Sequence, residues 1–142
     1  MNKIAIRVVS IQESKFLYNT NFDYSQLQEQ SLKIEFSIST NTNIDKNLFH
    51  LEVSVKYLHQ TTILLEIGAL FSFEIKPLSS VLITKNDKQS VSENLLMNML
   101  NTAIGTLRGI MFLKIQNTDL EKFILPLLPV DYITSLIKAQ SE

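Results

Sequence analysis

FHLEVSVKYLHQTTILLEIGALFSFEI, residues 49–75, alternates apolar and polar side chains with hardly a break. Phe49, Leu51, Val53, Val55 and Tyr57 fall on one side, with His50, Glu52, Ser54 and Lys56 opposite. Further on, Ile63, Leu65, Ile67, Ala69, Phe71, Phe73 and Ile75 share a side. Period-two alternation of this length predicts antiparallel strands with one buried face and one wetter face. The polar LHQT link around His59 is short enough to make the two a hairpin.

Working upstream, LKIEFSIS places Leu32, Ile34, Phe36 and Ile38 on one face, and the turn-rich NTNIDKN (Asn41 to Asn47) joins it to the hairpin. Three strands therefore form a meander. A further strand begins at Lys3 with Ile4, Ile6 and Val8 on one side, and it reaches Tyr18 past an irregularity near Ile11. A longer polar link, Asn19 to Gln30, carries Phe22, Tyr24 and Leu27.

Downstream of Pro77 the period changes. Ser90-Val91-Ser92-Glu93 reads as a capping box with Ser90 as the cap. Leu96, Leu100, Ala103, Leu107 and Ile110 then follow helical spacing, broadened by Leu95, Met99 and Met111. A helix continuing to about Gln116 is roughly 40 Å long. Thr102, Gly105, Thr106 and Gly109 form a small-residue stripe on it, which admits a second backbone. That backbone belongs either to the chain's own sheet or to a partner subunit's helix.

FILPLLPVDY (Phe123 to Tyr132) comes next, with eight uncharged apolar residues from Phe123 to Val130. Prolines at 126 and 129 each remove a donor and fix φ, so neither a central strand nor a helix suits the segment. A short helix follows from about Val130, with Ile133, Leu136 and Ile137 as its apolar side. Phe71, Phe73, Phe123, Leu125, Leu127, Leu128 and Tyr132 together supply more apolar surface than the strand faces and long helix require. They read as ordinary core or as a surface that holds something.

The 142 residues suit one domain, 1–142, burying roughly 70% of its extended-chain surface. The absence of cysteine excludes disulfides, thiolate metal sites and a cysteine nucleophile. A net charge of -1 with two arginines speaks against a nucleic-acid footprint. MNKIAIRVVSI is a poor signal peptide, and Leu95 to Ile115 falls short of a membrane span. The expectation is a cytoplasmic protein.

Chemistry is sparse. His50 and His59 are the two histidines, and neither has metal-ligand spacing to another donor. Three glycines cannot build a phosphate cradle, and no serine sits in a nucleophile elbow. Glu35, Glu52, Glu66 and Glu74 lie on polar strand faces, tempered by Lys33 and Lys56, and read as a solvated sheet face. No catalytic residue, metal or cofactor is assigned, and a non-enzyme is expected.

The layout is α+β: a four-stranded antiparallel sheet, a long helix, a proline-containing extended crossover and a short C-terminal helix. It resembles the SecB-like protein-export chaperone family. LPLLPVDYI (Leu125 to Ile133) is similar to that family's leucine-proline segment, followed there by Pro-Val-Asn-Phe and a helix. Arg108 resembles an arginine the family carries ahead of that segment. Glu66, Gly68 and Phe71 in LEIGALFSFEI are similar to its glutamate, glycine and phenylalanine there.

The resemblance implies an ATP-independent holdase for unfolded or nascent polypeptide, bound in an apolar groove walled by the crossover. Phe71, Phe73, Phe123, Leu125, Leu127, Leu128 and Tyr132 would touch the client. It also implies a homotetramer built as a dimer of dimers, with Thr102, Gly105, Thr106 and Gly109 at a helix interface. One departure is the charge. That family is strongly acidic and docks the motor SecA through a negative sheet face. Near-neutrality here, with Lys33 and Lys56 among the glutamates, puts SecA binding and a role in export in doubt. The other readings are an adaptor or assembly module of the same fold with one dedicated partner, and an α+β protein holding a small apolar ligand.

Overall fold

The computed structural model describes residues 4–85, 87–126 and 128–141. Strands β1 (Ala5–Tyr18), β2 (Leu32–Asn43), β3 (Leu48–His59) and β4 (Thr62–Lys76) form one antiparallel sheet in the order β1-β4-β3-β2. The meander β2-β3-β4 is as its alternation predicts, and β1 returns to lie outside β4. Asn47 (φ 56) closes the β2–β3 connection in left-handed conformation, and Gln60 (φ 55) does the same between β3 and β4.

A two-stranded hairpin, β5 (Leu82–Lys85) and β6 (Lys88–Val91), precedes the long helix. Four-residue strands are too short for the alternation to stand out, and this hairpin was not expected from the sequence. It moves the helix start. Ser90 lies in β6, and Ser92 is the N-cap, its hydroxyl accepting from the Leu95 amide at 3.3 Å. Helix α1 (Glu93–Ile115) has 23 residues, about 35 Å at 1.5 Å each. Helix α2 (Val130–Ser141) ends the described chain.

α1 lies across β3 and β4, while α2 rests on β2 and α1. The core sits between sheet and helices. Phe49, Leu51, Val53, Val55 and Tyr57 of β3 meet Leu65, Ile67, Phe71 and Phe73 of β4 and Leu96, Leu100, Ala103 and Leu107 of α1. One expectation is corrected at the turn end of β4. A register irregularity pairs Tyr57 with Leu65 but Leu58 with Ile63, so Leu64 is buried while Ile63 is half-buried.

β1 differs from its neighbours. Register shifts between Val8 and Ser10 and between Glu13 and Lys15 flank Ile11, the place where an irregularity was expected. Ile6, Val8, Ile11 and Phe16 stand opposite Ile75, Phe73, Phe71 and Ile67, so they occupy the core-side face. Yet all four are exposed, because α1 crosses β3 and β4 and reaches β1 through the Lys114 side chain, which pairs with Glu13 at 3.2 Å and lies 4.8 Å from the Phe16 ring centroid.

Candidate functional site

The proline segment between α1 and α2 is extended and two-sided. Phe123 and Leu125 are buried, whereas Ile124 is 51% exposed and Pro126 is exposed too. Leu128 is half-buried against the core, Pro129 is exposed, and Tyr132 at the start of α2 is 36% exposed. Tyr132 meets Phe36 of β2 edge-to-face, with ring centroids 6.0 Å apart.

Such a segment has no strand partner, so its backbone polar groups need other arrangements. Side chains from β3 and α1 serve three of its acceptors. The Tyr57 hydroxyl donates to the Phe123 carbonyl at 2.6 Å. Arg108 on α1 donates from Nε to the Leu125 carbonyl and from Nη2 to the Pro126 carbonyl, both at 3.0 Å. Pro126 and Pro129 bring no N–H at all, which removes two donors that would otherwise need partners. Burial pushes the Tyr57 phenol well above its ordinary range, so it stays a donor.

The side chains expected to touch a client therefore divide. Phe71, Phe73, Phe123 and Leu125 fill the chain's own core, and a partner could reach them only by displacing it. Leu128 and Tyr132 are accessible, and Leu127 lies outside the described residues. Sequence reasoning missed Ile124 and Pro126 as the outward row. Alternation from Phe123 onward was the available signal, masked by a run in which every residue is apolar. It also missed the bonds from Tyr57 and Arg108, since partners 66 and 17 residues away leave no local mark.

The small-residue stripe of α1 faces away from the sheet. Thr102, Gly105 and Gly109 are exposed and Thr106 is half-buried, and a Cβ built on either glycine meets nothing within 4 Å. Thr102 and Thr106 bond back to the Asn98 and Thr102 carbonyls at 3.1 and 2.9 Å. Of the two backbones the stripe could admit, the chain's own sheet is not the one it meets. Phe112 and the 69%-exposed Leu113 continue this outward side.

On the opposite face of the sheet several charges are paired. Arg7 bonds Glu74 at 2.9 Å, Lys76 lies 3.7 Å from it, Lys33 meets Glu35 at 3.1 Å and Lys56 lies 3.9 Å from Glu66. The hydrogen bond from Arg7 holds the Glu74 carboxyl below its ordinary range. His50 Nδ1 is 2.8 Å from the Ser72 hydroxyl, so this histidine is half-buried in a side-chain pair and less solvated than expected. It borders an open polar cleft of about 410 Å³ with Asn41, Asp45 and Gln89. His59 tilts against the Phe22 ring at 5.3 Å. Among the described residues, no three His, Cys, Asp or Glu side chains are grouped to hold a metal ion, and no helix is long and apolar enough to cross a membrane.

No protein-family model matches the chain, and no curated protein matches it in sequence. In structure it is similar to the SecB-like chaperone Rv1957 of Mycobacterium tuberculosis, solved in complex with a ChAD peptide from the Rv1956 HigA1 antitoxin. The TM-score is 0.54 at 12% sequence identity, over 88% of this chain and 85% of that one. The four-stranded antiparallel sheet, long helix and short C-terminal helix are thus arranged in the SecB-like fold.

Proposed function

We propose that this chain is a non-enzymatic, ATP-independent chaperone or adaptor that binds an extended, apolar polypeptide segment. The observation that carries the reading is the accessible row Ile124, Pro126 and Tyr132, with half-buried Leu128 beside it, displayed on a crossover whose Phe123, Leu125 and Pro126 carbonyls are bonded from within. Such a surface offers apolar contact on a segment held in place by the chain's own side chains. Each large side chain a partner buried there would contribute about 1.5–3 kcal/mol. The SecB-like neighbour's bound antitoxin peptide supports a polypeptide ligand, and a single dedicated one as readily as a broad clientele. The paired charges of the outer sheet face favour action without the SecA motor.

Self-association is part of the reading. β1 is hydrogen-bonded on one side and displays Ile6, Val8, Ile11 and Phe16, while α1 displays the stripe and Leu113. Both features suit strand and helix contacts between copies, up to a dimer of dimers.

The test is suppression of aggregation when a denatured model protein is diluted without ATP. Ile124→Glu and Tyr132→Ala should weaken suppression while leaving the fold intact, because both side chains are accessible. Leu125→Glu would bury a charge and unfold the chain, so it cannot test contact. Full suppression by a folded Ile124→Glu, Tyr132→Ala double variant would sink the assignment of this surface.

A further inference from the structure

The outward row can recognise a partner only if the crossover keeps one conformation, and the segment has neither a strand ladder nor a helix to fix it. Arg108 reaches it from the middle of α1, spanning two successive carbonyls with one guanidinium, at 3.0 Å each. A planar fork bonded at two points fixes orientation as well as position, which a single ammonium cannot do. Ile124 and Pro126, the exposed residues, flank or belong to the clamped pair.

The geometry points to Arg108 as the positioning residue of the polypeptide-binding surface. It acts on the partner through the crossover backbone and not by touching the partner. This rests on the polypeptide-binding reading and adds to it a specific control on affinity. The bonds go to main-chain oxygens, so the clamp works whatever side chains the segment carries.

The experiment uses two readouts on the full chain. The protein has no cysteine, so Ile124→Cys gives one attachment point for a nitroxide spin label whose mobility reports crossover order. Binding is measured separately, on unlabelled protein, by fluorescence anisotropy of a permanently unfolded probe, reduced and carboxymethylated α-lactalbumin. Arg108→Lys keeps the charge but loses the fork, and Arg108→Ala loses both. Each should loosen the label and weaken probe binding at least tenfold, the scale of a charge-assisted bond. Millimolar guanidinium should restore binding to Arg108→Ala, which a general loss of stability would not permit. If Arg108→Ala fails to fold, Arg108→Lys carries the test alone.

An equally immobile label in Arg108→Lys would overturn the clamp. A loosened label with undiminished affinity would overturn its role in positioning the surface. If the wild-type chain itself leaves the probe unbound, the polypeptide reading fails and takes the positioning role with it. That outcome is distinguished from the others because it appears before any substitution.

Discussion

The two edges of the sheet are treated differently. β2 carries Ser37, Ser39, Thr40, Asn41 and Thr42, and it is flanked by α2 and by strand β6 of the small hairpin. β1 is longer, at 14 residues, apolar on its core-side face, and among the described residues no strand pairs with its outer side. Bare edge strands template pairing with other chains, and folds usually blunt them with charge, cover or brevity. Both edges are apolar on the core side, but Leu32, Ile34, Phe36 and Ile38 of β2 are half-buried or buried, whereas Ile6, Val8, Ile11 and Phe16 of β1 are exposed. The difference is what an edge intended for another chain would require. Bulges at Val9 and Ser14 bend β1 without blocking it.

The strongest attack on this contrast is to charge the open edge. Ile6 and Ile11 are 43% and 47% exposed, so Ile6→Lys with Ile11→Lys should leave the isolated fold within about 0.5 kcal/mol per site. If copies associate through β1, burial of each side chain is worth about 1.5–3 kcal/mol. The association constant should then fall at least tenfold per position. Sedimentation equilibrium reads it directly. Ser39→Lys on β2 is the control and should leave the mass unchanged. A wild-type chain that stays monomeric at every concentration would end the self-association reading of β1.

Next comes the seam that holds β1. Gly68 of β4 sits opposite β1, and a Cβ there would lie 2.9 Å from the Ser14 hydroxyl and 3.2 Å from the Ser54 Cβ. Gly68→Ala forces β1 or its side chains to move, and overpacking of this kind costs about 1–3 kcal/mol. Urea unfolding should show the loss. A smaller loss would mean that β1 yields, which fits an edge waiting for a partner.

These effects mark how far the sequence could be read. Where β3 and β4 are buried on one face, alternation placed nearly every core residue, because a one-residue slip would turn the whole row outward. It failed at Ile63, where a bulge puts Leu64 in the core instead. β1 shows the opposite problem. Its alternation predicted a buried face, but burial depends on where α1 crosses the sheet, and that is a tertiary fact. The candidate site was half legible. Prolines at 126 and 129 announced an extended crossover, yet a run of only apolar residues hid which side chains turn inward.

On the covered side, Tyr57→Phe removes the donor to the Phe123 carbonyl and loosens the crossover that leads to α2. A buried acceptor left without its partner costs about 1–3 kcal/mol. Denaturant unfolding checks the magnitude. Unchanged stability would mean that water replaces the hydroxyl.

The exposed stripe of α1 gives a test in which the sign carries the information. Gly105→Ala and Gly109→Ala place a methyl in open space, so in an isolated chain each should stabilise by up to about 1 kcal/mol from helix propensity. If the stripe packs against a second copy, the added methyls hold the helices apart. The assembly should then weaken while the thermal stability of the dissociated chain rises. Stabilisation with unchanged assembly would confine the intermolecular contact to β1.

The smallest effect lies where β1 joins β4 by charge. Arg7 donates to Glu74 across the strand pair, which lowers the Glu74 carboxyl below its ordinary value of 4.5. A depressed folded-state pKa stabilises the fold above that ordinary value, and the contribution is lost as pH falls through the folded value. Arg7→Gln should therefore flatten the acid limb of a stability–pH profile below about pH 4.5, with little change near neutrality, where an exposed pair is screened. If the profile keeps its acid slope without Arg7, the pair contributes nothing to holding β1, and the strand is fixed to β4 by its backbone ladder and by close packing at Gly68.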